Sequence, residues 1–299
     1  MPDNSIAQIY RAALNYLHSY DFDDSELTVQ FIIEYIFSKP YIQLLAHDVV
    51  ASPHQKDMMF SMLDACLSGQ PLAYVLGSAD FNGRSYFIQP GVLIPRPETE
   101  ELVAIAQSMI QVMFNQNIQP TVFECGIGSG VISCELALHF PTIAFHGWDM
   151  SPVAIETAEI NVANLGITNL LIEHADFFAG FYSHYSNESF SILVSNPPYV
   201  SEFAYADLDY SVLEEPKAAL VADKDGLAVI EQLIELAQAT DSILICEIGF
   251  DQRSRLKQLF PELMLYFKRD LSGHDRFLIY FPKSSFLFHD LVDALHLFQ

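Results

Sequence analysis

The stretch Asn196-Pro197-Pro198-Tyr199 follows the apolar run Ile192-Leu193-Val194, which has the length and composition of a buried strand. Two prolines after a strand cannot continue its hydrogen-bond ladder, and they hold the backbone extended. They present the Asn196 carboxamide and a stiff row of carbonyls at the strand's C-terminal end, where ligands bind in open α/β sheets. An Asn carbonyl beside a proline carbonyl makes a pair of acceptors suited to one planar NH2 group. Tyr199 adds an aromatic wall. Taken alone, the four residues fit a strand running into a proline-rich loop equally well.

A second set lies upstream. Glu124-x-Gly126-x-Gly128-x-Gly130, with Ile127 and Ser129 between the glycines, follows another apolar run. Glycines let backbone approach a ligand without a Cβ collision. A nicotinamide dinucleotide site would place its third glycine one residue later. Asp149 ends the next apolar run about 20 residues downstream, where a carboxylate can hold both hydroxyls of a ribose. Asp176 and Phe177 follow a third run, placed for the edge and face of an adenine. Each has a bland alternative as a turn glycine, a helix N-cap acid, a solvated loop acid or a core Phe. The combination is what points to chemistry: four successive strand ends carry what S-adenosylmethionine and one amide substrate would need.

The elements that must position these residues alternate. Strands are expected over 121–125, 143–148, 170–173, 191–194 and 242–247, with late strands over 263–267 and 276–281. Helices are expected over 131–138, 152–165 and 226–237. Alternating βα units imply a doubly wound, mostly parallel sheet with helices on both faces. Before them, Pro97 sits at a first helical position and Glu98, Glu100 and Glu101 fill the first turn, which suits the helix dipole. Arg96, between two prolines, is held stiffly enough to fix a loop or close over a ligand. Asn82-Gly83 between apolar flanks signals a hairpin. Residues 1 to about 75 read as a helical unit: Ile6, Ile9, Ala13 and Leu17 share one face, a second helix is closed by Pro40, and a third opens at Pro53. The Met59-Met62-Leu63-Cys66 face of that third helix is expected to pack as core.

These motifs resemble the class I S-adenosylmethionine-dependent methyltransferases, and within them the protein-(glutamine-N5) methyltransferase family that modifies peptide-chain release factors. The marks are Leu93 to Glu100 (LIPRPETE), Gln70-Pro71 with Tyr74 and Gly77, Glu215-Pro216 with Ala219-Leu220, Asp225-Gly226-Leu227, Glu247-Ile248-Gly249 with Gln252, and Asp270-Leu271-x-Gly273-x-Asp275-Arg276. The Asn-Pro-Pro-Tyr motif is shared with adenine-N6 DNA methyltransferases and does not decide the substrate. The resemblance covers roughly residues 5–283. It implies a helical substrate-positioning domain over 1–76, a hairpin linker over 77–95, a methyltransferase domain over 96–283 with an antiparallel late strand, and a C-terminal extension over 284–299. It implies S-adenosylmethionine as cofactor, held by Glu124, Gly126, Ile127, Gly128, Ser129, Gly130, Asp149, Asp176, Phe177 and Asn196. Asn196 and the Pro197 carbonyl would take the substrate amide, with Pro198 and Tyr199 beside it and Arg96 and Glu100 positioning the substrate. No metal is expected. Glu124 stands where an aspartate is commoner, and Cys125 where an aliphatic residue is usual.

Composition narrows the partners. The 299 residues carry 14 Lys and Arg against 38 Asp and Glu, a net charge of -24. That balance argues against a DNA partner, since phosphate contacts need a basic footprint. It permits a basic protein partner, for which the acidic segment 201–225 offers steering. Four scattered cysteines without CxxC spacing fit reduced thiols in a cytoplasmic protein. No stretch of about 18 residues is apolar and uncharged, so no membrane span is expected. The start, Met1 to Arg11, lacks the pattern of a signal peptide. A monomer acting on class I release factors is the leading expectation. Alternatives are a ribosomal-protein glutamine methyltransferase, an adenine-N6 methyltransferase, and a catalytically dead adaptor.

Overall fold

A computed structural model describes residues 4–47, 49–185, 190–282 and 291. The chain forms two compact units: Met1–Ser78 with Asp209–Glu214, and Ala79–Leu208 with Glu215–Gln299. Nearly all of the segment expected as a C-terminal extension lies outside the described residues. Among the described residues, no helix is long and apolar enough to cross a membrane.

The first unit is helical: α1 (Ile6–His18), α2 (Ser25–Phe37), α3 (Tyr41–Ala46), α4 (Pro53–Leu67) and α5 (Leu72–Leu76). Helix α4 starts at a full capping box, in which the Ser52 hydroxyl accepts from Gln55 N and the Gln55 side chain accepts from Ser52 N, with Pro53 at the first position. Helix α2 stops before Pro40, at a left-handed Ser38 (φ 51°), and Pro40 instead leads into α3. The core holds Ile6, Ile9, Leu17, Ile32, Ile33, Met59 and Leu63. Met59, Met62, Leu63 and Cys66 are buried, so the methionine face is core, as expected.

In the second unit, β1 (Ser78–Phe81) and β2 (Arg84–Phe87) form the hairpin. Its turn residues Asn82 (φ 49°) and Gly83 (φ 72°) are both left-handed, the conformation that makes Asn-Gly a hairpin signal. Phe81 and Tyr86 from this hairpin are buried in the core of the second unit, and Tyr86 Oη donates to Glu135 Oε1 at 2.6 Å. The alternating part runs α6 (Pro97–Asn115), β3 (Thr121–Cys125), α7 (Val131–His139), β4 (Phe145–Asp149), α8 (Pro152–Leu165), β5 (Leu170–His174), α9 (Phe177–Gly180) and β6 (Ser191–Ser195). Short turns α10 (Glu202–Tyr205), α11 (Tyr210–Leu213), α12 (Lys217–Leu220) and α13 (Asp223–Gly226) follow, then α14 (Ala228–Ala239), β7 (Ile243–Glu247), α15 (Arg253–Leu259), β8 (Leu265–Arg269) and β9 (Asp275–Tyr280).

The seven-stranded sheet has the order β5-β4-β3-β6-β7-β9-β8. Strands β3 to β7 pair in parallel, and β9 runs antiparallel to β7 and β8. Its strands explain why the sequence reads as apolar runs. Val122, Ile192, Val194, Ile243 and Ile245 face one helical layer, while Phe123, Leu193, Leu244 and Cys246 face the other. Both faces are buried, so period-two alternation of polarity disappears. Helix α6 supplies Leu102, Ile105, Ala106 and Met109 to the first layer, and α14 supplies Ile230, Leu233 and Ile234 to the second. Burying one such side chain fully contributes about 1.5–3 kcal/mol. The order reverses between β4-β3 and β6-β7, so the ends of β3, β4, β6 and β7 face one crevice, the usual place for a ligand.

Candidate active site

The loop leaving β3 is built from three left-handed glycines, Gly126 (φ 71°), Gly128 (φ 56°) and Gly130 (φ 82°), which play two different roles. A Cβ on Gly126 or Gly128 would meet nothing within 4 Å, because both border open space. A Cβ on Gly130 would lie 3.1 Å from Ala158 Cβ of α8, so this glycine serves helix packing. The loop is tied to the neighbouring strand end: Gly126 N and Ile127 N donate to Trp148 O, and Gly128 N donates to Asp149 Oδ2 at 3.0 Å. Ser151 N donates to the other Asp149 oxygen. Each carboxylate oxygen keeps acceptor capacity for a further donor.

These groups open onto a cavity of about 470 Å³ lined by Gly126, Gly128, Asp149, Asp176, Phe177, Asn196 and Pro198. Sequence reasoning missed Leu93, Trp148, Met150 and Phe178, which also line it. Leu93 opens the LIPRPETE stretch, while Trp148, Met150 and Phe178 had no signal beyond their places at or just after the ends of β4 and β5. Phe177 is buried and meets Trp148 edge to face at 5.5 Å. Asp176 combines two roles. Its Oδ1 accepts from Ala179 N as the cap of α9, and it borders the cavity.

Four residues expected at the cofactor line no part of this cavity: Gly130, which packs on α8, and Glu124, Ile127 and Ser129. Glu124 is sealed beneath the loop, where Oε2 accepts from Ser133 N at 3.0 Å and from the Ser133 hydroxyl, joining β3 to α7. Burial pushes its carboxyl up to about 8, against the pull of the Ser133 donors. Ile127 packs on Ile155 and Ala158. Ser129 is buried and gives its carbonyl to Asn161 Nδ2 at 2.9 Å. Asn161 was not foreseen. It also accepts from Phe87 N and donates to Phe87 O, fastening β2 to the glycine loop.

Asn196 stands on the partition between two spaces. It lines the large cavity and also a slot of about 40 Å³ bordered by Leu93, Arg96, Pro197, Tyr199, Val200, Ala219 and Leu220. Pro198 faces the first space and Pro197 the second. Asn196 Nδ2 donates to Thr99 Oγ1 at 3.1 Å, Thr99 Oγ1 donates to Glu247 Oε2 at 2.9 Å, and Tyr199 Oη donates to Glu247 Oε1 at 3.1 Å. Burial raises the Glu247 carboxyl to about 7, with the Thr99 and Tyr199 donors and the Arg276 charge pulling the other way. The Tyr199 carbonyl accepts from Gln252 Nε2 at 2.9 Å.

Arg96 ion-pairs with Glu215, whose other oxygen accepts from Ile94 N at 2.9 Å. Glu215 is therefore buried, and drops out of the acidic surface that residues 201–225 suggested. Glu100, expected at the substrate, borders neither space and accepts from Asn82 N at 2.8 Å, anchoring the hairpin turn. Arg96→Ala should lower unfolding free energy by on the order of 2–3 kcal/mol, because it strands a buried carboxylate. That figure is discounted because Arg96 keeps 30% of its side chain exposed. Adding Glu215→Gln should recover part of the loss in urea unfolding, and equal losses in the single and double variants would refute the coupling.

Among the described residues, no group of three His, Cys, Asp or Glu is placed to hold a metal, and the four cysteines are buried and unpaired. Burial raises the thiols of Cys125 and Cys246, which keeps both protonated and weakly nucleophilic.

Comparison with known proteins bears on the same residues. Residues 119–275 match the family described as a methyltransferase domain, and residues 8–77 match the PrmC N-terminal domain. The chain is 33% identical over 92% of its length, and 99% of the relative's, to a release factor glutamine methyltransferase of Enterococcus faecalis. It is 36% identical over 70% of its length, and 76% of the relative's, to one of Bacillus anthracis. In fold it resembles the N-terminal domain of human METTL16 in complex with SAH, with TM-score 0.51 at 12% identity over 80% of this chain and 87% of that one.

Proposed function

The chain belongs to the release factor glutamine methyltransferase family, and from that premise we propose that it methylates N5 of the glutamine side chain in the Gly-Gly-Gln loop of class I release factors, using S-adenosylmethionine. The observation that carries the reading is Asn196 on the partition, with one space of cofactor size on one side and a slot for a single side chain on the other.

The residues present fit the cofactor. Gly126 and Gly128 leave a cradle that any Cβ would fill, Asp149 offers acceptors suited to a ribose diol, and Phe177 and Phe178 give an aromatic wall for an adenine. No phosphate site is required, since this cofactor carries no phosphate. When bound, it supplies an activated methyl group on a sulfonium.

The protein's part is then positional. An amide nitrogen is a poor nucleophile because its lone pair is delocalised into the carbonyl. Asn196 Oδ1 and the Pro197 carbonyl take its two N–H groups, which orients the nitrogen toward the partition and stabilises the positive charge that develops on it. Holding nitrogen and donor in line can contribute up to about 7–11 kcal/mol in ideal cases. The methylated nitrogen is acidic and loses its proton to solvent, so no side chain acts as general base. Tyr199 packs beside the glutamine, with its hydroxyl anchored on Glu247. The reading includes action as a monomer, in the cytoplasm where release factors work.

The test is methyl transfer from labelled S-adenosylmethionine to a purified class I release factor, beside one whose loop glutamine is replaced. Label confined to the glutamine-bearing protein is expected. Label in neither, with cofactor binding demonstrated, would reject the release factor and send the search to ribosomal proteins and then nucleic acid.

A further inference from the structure

The hydrogen inventory around Asn196 allows only one arrangement when Glu247 is ionised. Glu247 is 1% exposed, and both its oxygens are occupied, one by Thr99 Oγ1 and one by Tyr199 Oη. An ionised carboxylate only accepts, and a Thr hydroxyl owns a single hydrogen. That hydrogen is committed to Glu247, so Thr99 Oγ1 can only accept from Asn196, and Asn196 must offer it Nδ2. The carboxamide oxygen is thereby left to face the slot and cavity. We propose that Thr99 and Glu247 are positioning residues that commit Asn196 to present its oxygen to the substrate amide, and that protonation of Glu247 releases this commitment and switches turnover off.

The release follows from the same count. A protonated Glu247 can donate to Thr99, which frees the Thr99 hydrogen to point at Asn196. The Asn196 carboxamide then gains a partner for its oxygen and can turn over. Its NH2 group would face the NH2 of the substrate, donor against donor, and the acceptor that steers the nitrogen is lost. The charged and hydrogen-bonding groups facing Glu247 come from three elements. Thr99 and Glu98 lie on α6, Tyr199 in the loop after β6, and Arg276 on β9, itself paired with Asp270. Arg276 favours the ionised form and Glu98 opposes it, so the carboxyl is poised near 7 by burial with only partial compensation. Because methyl transfer to an amide uses no general base, a pH dependence of kcat reports this network.

The proposal rests on the glutamine reading for the identity of the acceptor, but not for the orientation of Asn196, and the experiment separates the two. Two quantities are followed from about pH 5 to about pH 9 in the full-length protein with S-adenosylmethionine bound: kcat on the release factor, and the side-chain amide resonances of Asn196 by 15N NMR. In the parent protein kcat should rise as pH passes through the Glu247 titration near 7, with cofactor Kd flat and the Asn196 resonances moving over the same range. Thr99→Val, close in volume, should cut kcat at high pH by about ten- to a hundredfold, less than outright loss of a transition-state partner. It should also abolish both pH dependences, and Thr99→Ser should restore most of the rate and the acid limb. Glu247→Gln should give low, pH-independent turnover. A Thr99→Val enzyme that keeps its acid limb, or that loses thermal stability alone, overturns the proposal. Asn196 resonances indifferent to pH overturn it as well. Titrating resonances with no turnover on any release factor would uphold the positioning network and reject the acceptor instead.

Discussion

Asn196→Ala is expected to lower kcat for glutamine methylation by about 10²–10³-fold, the scale set by deleting one preorganised partner of a developing charge, with S-adenosylmethionine affinity near that of the parent. The argument is geometric. Asn196 borders both the cofactor-sized cavity and the slot, yet the groups suited to ribose and adenine, Asp149 and Phe177, are held by other contacts. Asp149 is fixed by Gly128 N and Ser151 N, and Phe177 by Trp148. Truncation at Asn196 reaches neither. It frees Thr99, whose hydroxyl keeps Glu247 as a partner, so the fold should survive. Asn196→Asp would keep an acceptor toward the slot but set a second carboxylate near Glu247, and an intermediate loss is expected. Single-turnover transfer and calorimetric titration of the cofactor separate the effects. Undiminished turnover in Asn196→Ala would remove this residue, and the mechanism with it.

Gly226→Ala should be nearly as damaging, by a different route. Gly226 sits at φ 84° at the end of a turn whose Lys224 and Asp225 are also left-handed. A Cβ there would lie 2.0 Å from the carbonyl oxygen of Tyr199, 2.7 Å from its carbon and 2.9 Å from Gln252 Nε2. The first two are backbone atoms with no freedom to yield cheaply, and they belong to the loop that presents the amide acceptors. Left-handed backbone on a non-glycine residue costs about 1–2 kcal/mol, and displacing the Tyr199 carbonyl also breaks its bond from Gln252. A stability loss of at least about 2 kcal/mol is expected, with kcat reduced more than cofactor affinity because the push falls on the substrate side. Denaturant unfolding and turnover measured together test this. A variant as stable and active as the parent would show that the turn relaxes away from Tyr199.

The sequence marks without a local explanation are accounted for by such contacts. Asp225-Gly226-Leu227, Glu247-Ile248-Gly249 and Gln252 read as resemblance alone, with no chemistry attached. In the folded chain Gly226 and Gln252 brace the Tyr199 carbonyl, and Glu247 holds the Tyr199 hydroxyl. Glu124 and Glu100 show the opposite case, in which carboxylates expected at a ligand are consumed by Ser133 and by Asn82 N. A carboxylate at a strand end or a helix start carries the same local signal whether it faces a ligand or a backbone amide.

What this sequence determined by itself is whatever a few neighbouring residues can enforce. Prolines ended β6 and stiffened the acceptors, glycines opened the β3–α7 turn, Asn-Gly turned the hairpin, and doubly buried strands read as unbroken apolar runs. These are backbone constraints that act within a turn or a pleat. What only the tertiary structure decided is who bonds to whom across the sheet. Thr99 meets Glu247 from 148 residues away, Asn196 meets Thr99 from 97, and Arg96 meets Glu215 from 119. Those partners are set by the strand order, which places β6 between β3 and β7, and by the packing of α6 over their ends. No local pattern encodes a hydrogen bond whose two halves are joined only when a parallel sheet closes.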